Sequence, residues 1–131
     1  MPKVFTSEKQ KIGEIGENVA ERFLVKQGFT ILDRNYTKKW GEIDIVAKKD
    51  NKIYFIEVKS VTSDVSRGTN DTSRPEDNMH PWKLKRLARI IQTYLLSKNL
   101  DEDEWQLDLL VVFLSLKDRN AKIKVVKDII L

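Results

Sequence analysis

Apolar residues recur at helical spacing near the start of the chain, which predicts a first helix. These apolar positions are Ile12, Ile15, Val19, Ala20, Phe23 and Leu24. Ser7 and Gln10 form a capping box at the start of the helix, and Gly28 is expected to end it. Gly13 and Gly16 lie inside the helix, where each costs about 1 kcal/mol relative to alanine. We therefore expect another element to pack closely against the side of the helix that carries these two glycines.

Three short apolar runs follow the helix, and each predicts a strand. They lie at residues 29–32, 42–47 and 53–59. A polar segment containing Asp50 and Asn51 joins the last two runs, so these two strands are expected to form a hairpin. The segment 60–81 is rich in Ser, Thr, Asp and Asn and predicts a long loop, which is usually functional or disordered.

The second half of the chain repeats the alternation of helix and strand. A helix is expected to begin near Pro81, and strands are expected at residues 105–116 and 121–126. Three aromatic residues are expected in the core: Tyr94, Trp105 and Phe113. The order of helix, three strands, helix and two strands predicts one α/β domain over residues 1–131, with a central mixed five-stranded sheet flanked by helices.

Composition narrows the chemistry that this domain can carry. The chain has no cysteine and one histidine, which excludes thiolate zinc sites, iron–sulfur clusters, catalytic thiols, disulfides and sites with several histidines. The longest apolar run has six residues, against the roughly 20 that a membrane helix needs. Without an apolar signal-peptide core at its start, the sequence predicts a cytoplasmic protein with no membrane partner. The net charge of +4 is only a weak indication of a polyanionic partner.

Charged residues interrupt two strands that should otherwise be apolar. Asp44 lies within one strand of the predicted hairpin, and Glu57 and Lys59 lie at the end of the other. Because side chains alternate along a strand, Glu57 and Lys59 share a face. Hairpin pairing can bring Asp44 close to them. Isolated buried charges are costly, so we expect these groups to be paired with each other or bound to a metal ion.

Two carboxylates and a backbone carbonyl form an oxygen-only site of the kind that Mg²⁺ or Mn²⁺ prefers. A neighbouring lysine can orient or deprotonate a water, or neutralise charge on a phosphate. The residues therefore suit metal-assisted phosphodiester hydrolysis. Taken alone, they equally suit an ion-pair cluster at the end of a hairpin.

Several motifs in the first half of the chain resemble a known family. They are GEIGE at 13–17 with Ala20 and Leu24, GF at 28–29, Asn35, GEIDIVA at 41–47 and FIEVK at 55–59. Together they resemble the YraN family of small bacterial proteins. That family looks like a member of the restriction-endonuclease-like superfamily and is similar to archaeal Holliday junction resolvases. The resemblance implies a restriction-endonuclease-like fold and a metal-dependent endonuclease that acts on duplex or branched DNA. Since related resolvases act on two strands, it is also compatible with a homodimer.

The resemblance implies a role for each residue of the strand motifs. Asp44 and Glu57 would be ligands of Mg²⁺ or Mn²⁺, helped by the carbonyl of Val58, and Lys59 would be the catalytic lysine. The family often has an arginine two residues after the lysine, where this chain has Val61. This departure affects expected substrate contacts more than the core of the site.

Acidic residues outside these strands also match the family. Glu17 of the first helix would complete the catalytic metal site, directly or through water. Glu14 competes for this role, but Glu17 is favoured because it lies on one line of the helix with Gly13 and Ala20. Asp108 corresponds to an acid in a later strand and is expected to be structural.

Basic residues are candidates for contact with nucleic acid. They are Lys83, Lys85, Arg86 and Arg89 on the second helix, and Lys38 and Lys39 before the second strand. Such residues either bind backbone phosphates or form an ordinary solvated face. Trp40 could add a stacking contact, whereas His80 and Trp82 are expected to pack and cap locally.

Two other functions remain open from the sequence. One is a non-catalytic nucleic-acid-binding module on the same fold, which would bind DNA without cutting it. The other is a protein-interaction module that uses the long loop and the basic helix. That module would lack the steep salt dependence that phosphate contacts produce.

Overall fold

A computed structural model of the protein describes residues 7–62 and 79–131. Its elements, in chain order, are α1 (Glu8–Lys26), β1 (Thr30–Lys38), β2 (Gly41–Lys49), β3 (Lys52–Thr62), α2 (Pro81–Ser97), β4 (Glu104–Ser115) and β5 (Asn120–Val126). The predicted order of helices and strands is confirmed.

The five strands form one mixed sheet in the order β1-β2-β3-β4-β5. Neighbouring strands are antiparallel except for β3 and β4, which are parallel. Parallel neighbours need a crossover connection, and α2 lies in the connection between them. The fold is therefore the predicted α/β arrangement of a central mixed five-stranded sheet flanked by helices.

The first strand is longer than the sequence predicts, since β1 runs from Thr30 to Lys38 rather than ending at residue 32. Its second half is polar, and the β1–β2 register shifts between Ile31 and Asp33. This irregularity breaks the alternation that would reveal a strand.

The predicted hairpin is confirmed, and its turn places Asp50 and Asn51 at positive φ, 51° and 64°.

The caps of α1 follow the sequence prediction. The side chain of Ser7 accepts a hydrogen bond from the Gln10 N–H at 3.1 Å. Gly28 adopts φ 94°, and its N–H donates to the carbonyl of Val25 at 3.0 Å, which ends the helix. These contacts set where α1 begins and how the chain leaves it for β1.

Only one of the two glycines inside α1 makes the close approach that the sequence predicts. A Cβ at Gly16 would overlap Ser60 Oγ and lie 2.9 Å from Ser60 Cβ, so α1 contacts β3 there. A Cβ at Gly13 would meet nothing within 4 Å, and the expectation is wrong at that position. Of the two glycines, Gly16 is therefore the one at which α1 packs closely on β3.

Two apolar cores lie on the two faces of the sheet. The core beneath α2 includes Ile43, Val46, Ile53, Phe55, Leu87, Ile90, Ile91, Tyr94, Leu95 and Leu107. The core beneath α1 includes Ala20, Leu24, Ile45, Ala47, Ile56, Leu110, Val112 and Leu114. Tyr94 is buried and Trp105 is partly buried against the first core, as expected, but Phe113 remains 36% exposed.

The loop predicted at residues 60–81 is only partly within the described residues. Strand β3 continues to Thr62, and α2 begins at Pro81. The prediction for residues 63–78 lies outside the described residues. Neither described helix is long and apolar enough to cross a membrane.

Candidate functional site

Asp44 lies where strands β2 and β3 stop pairing. The last pair of the β2–β3 ladder at this end is Ile45 with Ile56. Asp44 is the next residue of β2 toward the start of the strand. Its side chain takes the place of a backbone partner there, because its Oδ2 accepts a hydrogen bond from the Val58 N–H at 2.8 Å. The register thus brings Asp44 to the Glu57 region, as the sequence predicts.

Glu57 is buried on the side of the sheet that faces α2. Only 7% of the residue is exposed, and it continues the face formed by Ile53 and Phe55. Its Oε2 lies 3.5 Å from Nζ of Lys83, in the first turn of α2. Its Oε1 is buried and has no hydrogen-bond partner among the described residues. Glu57 therefore has an oxygen available for a further ligand.

Burial disfavours charge on both carboxylates, and repulsion by neighbouring acids adds to it. Burial, followed by the negative charge of Glu57, raises the pKa of Asp44 to about 8. Burial also raises the pKa of Glu57 to about 7, although the positive charge of Lys83 opposes this rise. The charges of Glu17 and Glu42 also raise the pKa of Asp44, so both acids act on the same site. A cation bound here would relieve this repulsion.

These pKa shifts predict how the stability of the cation-free protein depends on pH. Above the ordinary pKa values of 3.8 for Asp and 4.5 for Glu, the unfolded chain releases protons that folded Asp44 and Glu57 retain. The folded state then binds more protons, so the free energy of unfolding falls as pH rises, until the folded carboxyls ionise near pH 7 and 8. We expect Asp44→Asn to be more stable than wild type at pH 8 by about 1 kcal/mol or more. Near pH 4 the difference should be smaller.

Urea unfolding in EDTA at a series of pH values measures this difference. Identical pH profiles for wild type and Asp44→Asn would contradict it. Glu14→Gln is the matched control, because Glu14 is exposed on α1 and should leave the profile unchanged.

Glu17 is held by two residues of β1. Its Oε1 accepts hydrogen bonds from Asn35 Nδ2 at 2.8 Å and from Arg34 at 3.3 Å. Arg34 also bonds Glu21 at 3.0 Å, one helical turn further along α1. Glu14 is exposed, whereas the charge of Glu17 raises the pKa of Asp44, so of these two acids Glu17 is the one that lies toward the site.

Sequence reasoning missed the supporting roles of Arg34 and Lys83. Arg34 lies beyond the end of the strand that the sequence predicts, and the sequence places Lys83 among the candidate nucleic-acid contacts. Asn35 could have been found from the sequence, since it is one of the residues that carry the family resemblance. It also adopts φ 51°, and its neighbours in β1 pair with the residues on either side of Asp44.

Lys59 is exposed two residues beyond Glu57 on β3. Its ammonium makes no ion pair or hydrogen bond with the described residues, whereas Lys83 is engaged with Glu57. The intervening Val58 is half-buried, and its N–H is bound to Asp44. Within residues 7–62 and 79–131, Lys83 is therefore paired with a carboxylate, whereas the exposed Lys59 is not.

The remaining candidate nucleic-acid contacts are exposed. They are Lys38, Lys39, Lys85, Arg86 and Arg89. Lys83 differs because its ammonium contacts Glu57. The Arg89 guanidinium lies over the Trp40 ring, 4.5 Å from its centroid, which covers the face predicted to stack on a base.

His80 and Trp82 have one of their two predicted structural roles. His80 occupies the N-cap of α2, but its side chain makes no capping hydrogen bond, so the expected cap is wrong. The expected local packing is present, because the exposed Trp82 ring stacks on that of His80 at 6.4 Å and lies 6.0 Å from the Arg86 guanidinium.

Asp108 has the surroundings of a structural acid. It is 4% exposed, and its Oδ1 accepts hydrogen bonds from Gln106 Nε2 at 2.7 Å and from the Asp128 N–H at 2.9 Å. These contacts connect β4 to the segment that follows β5.

The described residues contain no group of three or more His, Cys, Asp or Glu side chains arranged to hold a metal ion. A cation at this site would therefore take carboxylate oxygens from Asp44 and Glu57 and complete its shell with carbonyl and water oxygens. Mg²⁺ is commonly bound in this way. Because Glu17 already accepts from Asn35 and Arg34, its role in such a site would be exerted through water.

Fold and site together define an α/β domain with a half-buried and a buried carboxylate, Asp44 and Glu57, at the end of a hairpin. The family model described as "Uncharacterised protein family UPF0102" matches residues 16–113. The chain belongs to this family, which is the YraN family indicated by the sequence motifs.

Curated relatives match most of the chain. The UPF0102 protein of Alkaliphilus oremlandii is 37% identical over 114 residues, which cover 87% of this chain and 92% of the relative. That of Clostridium tetani is 34% identical over 122 residues, or 93% and 95% of the two chains. A relative from Campylobacter jejuni is 39% identical over 100 residues, or 76% and 81%.

Among solved structures, the chain is similar to Pyrococcus furiosus SfsA in complex with Ca²⁺. The TM-score is 0.39 and the sequence identity is 15%, over 98% of this chain and 74% of that one.

Proposed function

We propose that this protein is a Mg²⁺- or Mn²⁺-dependent endonuclease that hydrolyses phosphodiester bonds in duplex or branched DNA. The observation that carries the proposal is the pair of carboxylates at the end of one hairpin, a half-buried Asp44 and a buried Glu57, beside Lys59, which has no ion pair among the described residues. Holding two like charges together away from water without a cation is unfavourable, so a fold that retains them is suited to binding one.

The donor set fits a hard divalent cation. Asp44 and Glu57 supply carboxylate oxygens, and the buried Oε1 of Glu57 lacks a partner among the described residues. The N–H of Val58 donates to Asp44, which supports a role for the carbonyl of the same residue as a further ligand. Oxygen ligands of this type favour Mg²⁺ or Mn²⁺ over softer metals.

The cation, when bound, would supply Lewis-acid stabilisation of the negative charge that develops on the phosphate. Lys59 would donate hydrogen bonds from Nζ to a phosphate oxygen and to the attacking water, which orients the water and neutralises charge. Glu17 would orient a water at the edge of the site, since Asn35 and Arg34 fix its carboxylate.

Exposed basic residues suit the proposed DNA partner. Lys85, Arg86 and Arg89 lie on α2, the helix whose first turn carries Lys83 beside Glu57. Lys38 and Lys39 lie just before β2, the strand that carries Asp44. Contacts from such residues to backbone phosphates would be independent of base sequence.

A cleavage assay on a panel of DNA forms tests the proposed function. Purified protein is incubated with duplex, single-stranded, flapped and four-way branched DNA, in Mg²⁺, Mn²⁺ or EDTA. We expect cleavage of at least one form that requires the divalent cation and stops in EDTA. Binding without cleavage of any form would instead favour a non-catalytic nucleic-acid-binding module. Absence of both would favour the protein-interaction module.

A further inference from the structure

The proposed catalytic chemistry does not use the contact between Lys83 and Glu57. Nζ of Lys83 lies 3.5 Å from Glu57 Oε2, and the side chains are 39% and 9% exposed. Among the described residues, no other lysine or arginine forms an ion pair with Glu57 or Asp44. Among the described residues, Lys83 is therefore the positive charge in contact with the carboxylate pair.

One ammonium only partly neutralises the two carboxylates, the half-buried Asp44 and the buried Glu57. Lys83 contacts Oε2 of Glu57, while Oε1 of the same carboxylate is buried without a hydrogen-bond partner among the described residues. Asp44 is instead bound to the Val58 N–H. A divalent cation carries twice the charge of the ammonium and can contact both carboxylates, so it would neutralise the pair more completely.

Lys83 has room to withdraw from Glu57. It lies at the start of α2, and more than a third of its side chain is already exposed. It also borders an open cleft of about 230 Å³ lined by Gly41, Glu42, Glu57, Trp82, Arg86 and Leu87. A flexible lysine can move its ammonium into water at such a place with little loss of packing.

We propose that Lys83 is an internal counter-ion that neutralises Glu57 in the cation-free protein and competes with a divalent cation for that carboxylate. This proposal rests on the proposed function, because it takes Glu57 as a cation ligand. A cation bound to Glu57 and an ammonium at 3.5 Å from the same carboxylate repel each other. Binding of the cation and pairing with Lys83 therefore oppose each other.

Calorimetric titration with Mn²⁺, in the absence of DNA, tests this competition. Lys83→Met removes the charge and keeps much of the side-chain length. We expect it to bind Mn²⁺ about tenfold more tightly than wild type, since it removes a like charge from a partly exposed site. The matched control is Lys98→Met, which removes an exposed lysine at the other end of α2 and should bind Mn²⁺ as wild type does.

Each outcome separates this proposal from the proposed function. If wild type binds Mn²⁺ and Lys83→Met binds it no more tightly, the competition is overturned while the cation site stands. If neither protein binds Mn²⁺, or if Asp44→Asn binds it as wild type does, the cation site fails and the competition fails with it.

A measurement on the wild-type protein covers the case in which Lys83→Met does not fold. The ¹H–¹³C resonances of the Lys83 Cε group are followed while Ca²⁺ is added. We expect them to move toward the positions of exposed lysines in step with cation binding. Resonances of Lys83 that stay fixed while Ca²⁺ saturates the site would overturn the proposal.

Discussion

Asp44→Asn is expected to reduce cation-dependent DNA cleavage by about 1,000-fold or more, because it removes a charged ligand from the reaction centre. Lys59→Ala should reduce cleavage by about 100-fold or more, since an ammonium aimed at the phosphate contributes mainly to the transition state. Rates are measured under single-turnover conditions on whichever DNA form wild type cuts. DNA binding in Ca²⁺ is measured in parallel and should be retained by both variants.

Two features of the structure make this prediction specific. Desolvation and the charge of Glu57 disfavour the ionised form of Asp44. A neutral asparagine at this position should therefore fold at least as well as wild type, and lost cleavage cannot be assigned to unfolding. Lys59 is exposed and makes no ion pair with the described residues, so its removal should leave stability unchanged. Glu14→Gln, on the exposed side of α1, should cut normally. Cleavage that survives both Asp44→Asn and Lys59→Ala would place the reaction elsewhere or in a contaminant.

The hairpin that carries Asp44 and Glu57 could be predicted from the sequence because local patterns determine it. Alternation gives the faces of β3, and the Asp50-Asn51 turn sets the register of β2 against β3. Once the register is known, Asp44 must lie near Glu57. The α1 cap is equally local, since Ser7 and Gln10 are only three residues apart.

The groups that surround the carboxylates could not be predicted, because their contacts join distant parts of the chain. Arg34 reaches Glu17 and Glu21 across 17 and 13 residues, from a strand segment whose charges and register shift hide its periodicity. Lys83 belongs to a run of basic residues on α2. The sequence of such a run does not show whether all of its side chains face water or one of them points into the protein. Only the crossover geometry between β3 and β4 brings that member to Glu57.

The two glycines of α1 provide the second large effect, because the same substitution should have opposite results at the two positions. A Cβ at Gly13 meets nothing within 4 Å, so Gly13→Ala should raise the free energy of unfolding by about 0.5–1 kcal/mol through helix propensity. A Cβ at Gly16 would overlap Ser60 Oγ and lie 2.9 Å from Ser60 Cβ, so Gly16→Ala should lower it by about 1–3 kcal/mol. Urea unfolding of the two variants measures the contrast.

The contact of Gly16 also bears on the site, because Glu17 is the next residue of the helix. The hydroxyl of Ser60 can rotate away from an added methyl group, but its Cβ is fixed to β3, so α1 would have to move outward there. That movement would shift Glu17 relative to Asp44, and cleavage should fall even where Gly16→Ala remains folded. Ser60→Gly removes both contacting atoms, so the Gly16→Ala substitution should cost little in that background. If Gly16→Ala proved as stable as Gly13→Ala, or if Ser60→Gly gave no relief, close packing of α1 on β3 would not be what positions Glu17.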